Sequence, residues 1–252
     1  MTGFLAIEGL KKDFGGVEVL TGLDLALEAG ELLCVIGPNG CGKTTLFNLI
    51  TGQLRPTTGR IGFEGSDLTR LRPYAIARLG IGRKFQVPSV FASVSVADNL
   101  MVARSAEAGR AGLSGLAGPT PAAAREAVTE MLALIGLAEK AERPAGTLAH
   151  GEMQWLEIGM VLIAQPRLML LDEPTAGMTR AETEATAALI RRIHGETGIG
   201  VILIEHDMRF VEMLDTTVAV MMRGVVAMRG RYDQVRADPA VREGYLGGHA
   251  RG

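Results

Sequence analysis

Cysteine is scarce in this chain, and its placement excludes a disulfide scaffold. Cys34 and Cys41 lie close together around a glycine-rich turn, not at the spacings of a cross-linked framework. Long apolar runs are missing too: none approaches the roughly 18 residues needed to span a bilayer. The opening stretch MTGFLAIEGLKKDF places its charges after its apolar residues, the reverse of a secretory signal. Neither sign of charge dominates. There are 26 Lys and Arg against 28 Asp and Glu, a net charge of −2, which gives no general attraction to nucleic acid or anionic lipid. No internal repeat is visible either. These absences point to a cytoplasmic protein, or to one that meets a membrane only through partners. What is present, 47% hydrophobic and 21% charged residues over a length of 252, suits one sizeable core, or one core with a modest inserted lobe.

The first part reads as β-rich. FLAIEGL and LDLALEAG alternate in part, and LLCVIG is a short buried run stopped by glycine. KTTLFNLITG then sets Leu46, Leu49 and Ile50 at helical spacing, with Gly52 as a stop. Between about residues 87 and 160 the pattern becomes helical, in VSVADNLMVAR and in PAAAREAVTEMLALIGL, where Pro121 suits a first turn. Between these two, AEAGRAGLSGLAGPT reads as a mobile loop. Strands return in LMLLDEP, GVILIEHD and TVAVMMRGVVAMRG, with the helix RAETEATAALIRRIHGE between the first two. Such alternation predicts right-handed crossovers and a largely parallel sheet: an α/β core interrupted by a helical lobe.

The sharpest motif is GPNGCGKTT, comprising Gly37, Pro38, Asn39, Gly40, Cys41, Gly42, Lys43, Thr44 and Thr45. It satisfies G-x-x-x-x-G-K-[ST] between a strand and a helix, the context that pattern requires. The glycines let backbone N–H groups converge on phosphate oxygens, and the helix starting near Lys43 points its positive end at the same anion. Lys43 is expected to neutralise the β- and γ-phosphates of ATP and the Thr44 hydroxyl to ligate Mg²⁺. Cys41 sits at the helix N-terminus, where a thiolate is favoured; the alternative is a small residue that merely tolerates the turn.

LMLLDEPTAG ends a buried strand with two carboxylates. Successive strand side chains point opposite ways, so Asp172 and Glu173 are expected to differ in role. Asp172 suits Mg²⁺, directly or through water. Glu173 suits the base or positioning group for an attacking water. His206 follows VILIE in the same way, at the sheet edge where α/β ligands bind, and is expected to hydrogen-bond the γ-phosphate rather than act as a plain turn residue. Gln86, in RKFQVPSVF, could reach Mg²⁺ or the water, or be a surface glutamine. Phe14, in KKDFGG, could stack on adenine, or belong to the core.

In this order the aromatic, GPNGCGKTT, Gln86, LAHGEMQWLEIG, LMLLDEP and His206 resemble the ATP-binding subunit of ABC transporters over essentially the whole chain. The resemblance implies a RecA-like P-loop NTPase core (1–86 and 161–252), an N-terminal antiparallel β subdomain and an α-helical subdomain inserted at 87–160. It also implies that two cassettes, identical or paralogous, close head to tail over ATP, each phosphate loop facing the other's signature motif. The usual signature L-S-G-G-Q is here Leu148, Ala149, His150, Gly151 and Glu152. The serine hydroxyl is gone, while Gly151 and a helix N-terminus able to face an anion remain. Glu152 is the residue that a phosphate would repel. In PTAGMT, Thr179 stands where the family commonly has aspartate.

GRKFQVPSVF, HGEMQWLEIGM and VREGYLGG together look most like the urea-importer ATPase, within the group importing branched-chain amino acids and short amides. The implied partners are membrane permease subunits, docking near Gln86 through Asn99, and indirectly a solute-binding protein, with no nucleic acid. The implied place is the cytoplasmic face of the membrane. Val87, Val90 and Phe91 are candidates for the permease contact or for core packing. The rival readings are an exporter ATPase of the lipopolysaccharide type and a nucleotide-dependent assembly switch that scarcely turns over.

Overall fold

The computed structural model describes residues 3–84, 90–110, 121–239 and 241. Its centre is a six-stranded sheet in the order β10-β9-β3-β8-β7-β6, built from β3 (Leu32–Ile36), β6 (Ile81–Lys84), β7 (Leu168–Asp172), β8 (Gly200–Ile204), β9 (Thr217–Met222) and β10 (Val225–Arg231). Neighbouring strands from β9 to β6 run parallel, and only β10 is antiparallel, folded onto β9 through a two-residue turn at Arg223 and Gly224. Both turn residues have positive φ, 51° and 79°, the backbone that fits a tight hairpin to strand twist. Every residue of β3, β7 and β8 is buried, which is why LLCVI, LMLLD and GVILI read as unbroken apolar runs: both sheet faces are covered.

Alternate β3 side chains serve two different cores. Leu33 and Val35 pack with α1 (Lys43–Ile50) and with a second, antiparallel sheet of order β2-β1-β4-β5, formed by β1 (Leu5–Asp13), β2 (Glu18–Leu27), β4 (Thr58–Phe63) and β5 (Ser66–Asp67). Cys34 and Ile36 face the opposite layer, made by α5 (His150–Leu162), α6 (Arg180–Thr197), α7 (Met208–Leu214) and α8 (Tyr232–Ala237). A short helix, α2 (Pro73–Arg78), leads into β6.

Between β6 and β7 the helices α3 (Val96–Arg110), α4 (Pro121–Leu134) and the N-terminal part of α5 enclose a third core around Leu100, Leu132, Ile135 and Leu156. The loop expected over residues 106–120 is helical in its first five residues, and 111–120 lie outside the described residues. Helix α3 continues through Arg110, because Ala, Glu and Arg in AEAGR are good helix formers that one glycine does not outweigh. The helical layer is fastened to the sheet edge by an ion pair between Lys84 of β6 and Glu157 of α5, N···O 3.3 Å, both side chains 3% exposed.

Candidate active site at the carboxyl edge of the sheet

Strand order brings the sequence motifs together. β8 lies between β3 and β7, all three parallel, with Val35 opposite Ile204 and Ile204 opposite Asp172. The phosphate loop after β3, the carboxylates at the end of β7 and His206 after β8 therefore leave adjacent strands at the same edge, where crossovers open a crevice in α/β sheets.

Two loop glycines are required by space. A Cβ on Gly37 would stand 2.2 Å from the Met221 carbonyl oxygen of β9, and one on Gly42 would stand 2.6 Å from Leu20. Gly42 also starts α1 with φ 104°, a conformation that L side chains avoid. Lys43 is buried, and its ammonium donates to the carbonyls of Gly37 (2.7 Å) and Pro38 (3.1 Å). Its charge thus lies over the loop. Thr44 is exposed and Thr45 half-buried, while Pro38 is half-buried and Asn39 and Gly40 are exposed.

Cys41 overturns the activated-thiolate expectation. Burial raises its pKa, and the Lys43 charge and backbone N–H groups only partly offset that. Iodoacetamide is therefore expected to alkylate Cys41 more slowly at pH 7 than a cysteine in a short peptide, accelerating as pH rises above the ordinary thiol range. A rate above the peptide's at pH 7 would restore the activated thiolate.

The two carboxylates sit in different surroundings, and Asp172 has company that the sequence did not announce. Its Oδ2 accepts from Arg83 of β6 at 3.0 Å, with the side chains 6% and 0% exposed. Arg83 also donates to Asn48 Oδ1 of α1 (2.6 Å) and lies over the Phe47 ring. Burial holds Asp172 above the usual carboxylate range against the pull of Arg83. Its Oδ1 is buried with no hydrogen-bond partner among the described residues, an acceptor suited to a water or a hard cation.

The strand ends at Asp172, and Glu173 turns out of it with φ 46°, a rare conformation for a non-glycine residue that costs about 1–3 kcal/mol. Its N–H donates to the Ile204 carbonyl at 3.0 Å. The half-buried carboxylate comes to 3.7 Å from His206 Nδ1. Behind them sits a residue that sequence reasoning missed. Glu205, 1% exposed, accepts from Thr175 N–H (3.2 Å) and hydroxyl (2.7 Å) and from His206 N–H (3.1 Å). One buried carboxylate thereby joins the loop after β7 to the loop after β8, and burial raises its pKa despite these donors. An acid closing the apolar run VILI was the only sequence signal. Removing it in Glu205→Ala leaves three donors without acceptor, at about 1–3 kcal/mol each; the expected result is a markedly lower thermal midpoint together with lost activity.

The segment 149–152 does form a helix N-terminus, with Ala149 as a cap residue that offers no side-chain acceptor. Glu152, the residue that a phosphate would repel, is engaged within its own segment. Its Oε2 accepts from Ala149 N–H (3.2 Å) and its Oε1 pairs with Lys140 at 2.5 Å, half of a capping box plus a neutralising cation. The His150 ring is turned to the Ala176 carbonyl, 2.9 Å away. Gly151 N–H already holds a carboxylate oxygen, Glu182 Oε1, at 3.3 Å, so the chain itself demonstrates anion affinity at this amide. Thr179 caps α6, its hydroxyl accepting from Glu182 N–H (3.4 Å) while Glu182 Oε2 accepts from Thr179 N–H (2.8 Å). The T-x-x-E spacing in TRAE is the sequence signature of that box.

Phe14 is 45% exposed, beside Lys12, which removes the core alternative. Phe91 is 53% exposed, Val90 packs against the helical core, and buried Asn99 binds the Phe91 N–H and carbonyl. Gln86 and Val87 lie outside the described residues, as does VREGYLGG beyond Val241.

A family model described as ABC transporter matches residues 20–176. The high-affinity branched-chain amino acid transport ATP-binding protein BraF of Pseudomonas aeruginosa is 38% identical over 249 residues, 96% of this chain and 97% of that one. LivG of Escherichia coli (strain K12), with the same description, is 36% identical over 249 residues, again 96% and 97% of the two chains. An ATP-binding cassette of an ABC transporter, solved in its ADP conformation, superposes with a TM-score of 0.85 at 30% identity over 98% of this chain and 100% of that one.

Proposed function

Since the chain belongs to the ABC transporter family and is an ATPase of that type, we propose that it powers an importer of the group handling branched-chain amino acids and short amides such as urea. The observation behind this is the adjacency of β3, β8 and β7, which delivers phosphate loop, Asp172, Glu173 and His206 to one edge. The residues of GPNGCGKTT bind the phosphates, with Lys43 balancing their charge, and Phe14 offers its exposed face to the base. Oxygen donors at Thr44 and Asp172, whose Oδ1 is an orphaned acceptor, fit Mg²⁺, and the sequence pattern adds Gln86 as a further ligand. Mg²⁺ bound there would supply charge neutralisation to the phosphates.

Glu173 accepts the proton of the attacking water, and His206 directs a hydrogen bond to the terminal phosphate. The N-terminus of α5, with Ala149 and His150 exposed beside the buried Gly151, closes over the nucleotide of a second cassette. Closure and reopening of the pair is passed to membrane permease subunits that hold the protein at the cytoplasmic face. Among the described residues no helix is long and apolar enough to cross a membrane, and exposed Phe91 supplies apolar contact. The names of the relatives support branched-chain amino acids, whereas HGEMQWLEIGM and GRKFQVPSVF resemble the urea branch.

The test is co-purification with its permease subunits, reconstitution in liposomes with the cognate binding protein, and ATPase assay with leucine or urea. Stimulation by either cargo, several-fold, is expected. Indifference to both would remove the import reading.

A further inference from the structure

We propose that His150 is a positioning residue that makes the signature segment and the 173–179 loop move together, so that nucleotide on the partner cassette sets the placement of this chain's own Glu173. The inference rests on the paired-cassette reading above, in which the N-terminus of α5 meets the partner's nucleotide.

The connection is continuous in the structure. His150 Nε2 lies 2.9 Å from the Ala176 carbonyl oxygen. The N–H of the same Ala176 donates to the Glu173 carbonyl at 3.2 Å, so the residue that His150 grips also closes the turn carrying the proposed base. Gly177 lies next to the ring, where a Cβ would stand at ordinary contact distance, 3.4 Å from Nε2; its backbone, φ 75°, is what favours glycine there. The loop's two ends are already fixed by other groups. Thr175 is held by Glu205, which also holds the His206 N–H. Thr179 is held by Glu182, whose other oxygen takes the Gly151 N–H. His150 is the side chain that reaches the middle of the loop from α5.

Farther along α5, Trp155 Nε1 donates to Thr186 of α6 at 2.8 Å, so displacement of α5 is carried to α6 as well. A signature with glycine at position 150 would have no side chain to make the loop contact.

The chemistry of the contact is that of a link and not of a pH switch. A carbonyl oxygen only accepts, so Nε2 must donate, and both the neutral Nε2–H tautomer and the imidazolium do so. Misplacing a catalytic group by about 1 Å can cost ~10²-fold in rate, so cutting the link acts on turnover more than on nucleotide affinity.

The test compares His150→Ala, His150→Asn and His150→Gln in the full chain, using kcat, KM for ATP and the Hill coefficient. The alanine variant is expected to lose about 10-fold or more in kcat, within the range for a displaced group, with lowered cooperativity and a KM that changes much less than kcat. Gln, whose amide nitrogen reaches as far as Nε2, restores most of the loss. Asn, which is shorter, does not, and it keeps the experiment decisive if the alanine variant folds poorly. Unchanged kcat and Hill coefficient in both the Ala and Asn variants would overturn the proposal.

Pair formation with ATP, followed by size-exclusion chromatography in a Glu173→Gln background, separates the two levels of inference. If Glu173→Gln alone fails to pair, the cassette-pair reading itself falls. If it pairs but the added His150→Ala abolishes pairing, His150 acts at the nucleotide contact and not on the loop, and the link is refuted.

Discussion

Glu173→Gln is expected to slow ATP turnover by about 10²–10⁴-fold, the range for losing a positioned general base. The amide keeps the shape of the side chain but cannot take a proton from water. The backbone that aims it, with N–H on the Ile204 carbonyl and φ 46°, does not depend on the carboxylate. Nucleotide binding, which resides in the loop around Lys43, is expected to persist, so the variant accumulates an ATP-bound closed pair. Single-turnover hydrolysis, together with the sedimentation of the ATP complex, measures both halves. Full turnover by this variant would move the base to another group.

The second large effect is on stability. Arg83→Met removes the only described partner of the Asp172 carboxylate, whose side chain is 0% exposed. Breaking a buried pair from one side costs about 3–5 kcal/mol, because the remaining charge is left without compensation. The pH dependence has a definite sign. Burial already raises Asp172 above its ordinary value, with Arg83 as the main opposing influence. The folded chain thus holds this proton more tightly than the unfolded chain. The associated stability is present below the ordinary carboxylate pKa and is lost as pH rises through the raised one. Without Arg83 that window extends upward. Chemical denaturation should therefore find the variant's deficit smaller at pH 5 than at pH 8, and Arg83→Met combined with Asp172→Asn should recover much of it. Equal deficits at both pH values would show that Asp172 is not the group left exposed to the change.

The sequence was legible where a motif carries its own geometry. GPNGCGKTT requires a strand before it and a helix after it, and the runs LLCVI, LMLLD and GVILI identify strands covered on both faces. The partners brought to the site by long-range packing were not legible. Arg83 meets Asp172 only because β6 pairs with β7, and neither residue's surroundings in sequence mention the other. Glu205 resembled a strand-end acid, and its role appears only when the loops after β7 and β8 are side by side. The partners of Glu152 were not legible either: it reaches back to the cap of its own helix, and its cation, Lys140, lies 12 positions earlier in the chain. Cys41 shows the opposite balance, since the helix terminus that favours a thiolate is outweighed by the burial that the same tight loop imposes.

The sequestered pair between Lys84 and Glu157 has a mechanical consequence. Separating two dehydrated charges is costly, so α5 tilts against the sheet most cheaply with that pair as its fulcrum. Gly151 lies six residues along the helix from Glu157, a lever arm of about 9 Å at 1.5 Å per residue. A tilt of about 10° then carries the helix mouth ~1.5 Å by that rise, enough to make or break an N–H contact with an anion while the fulcrum stays closed.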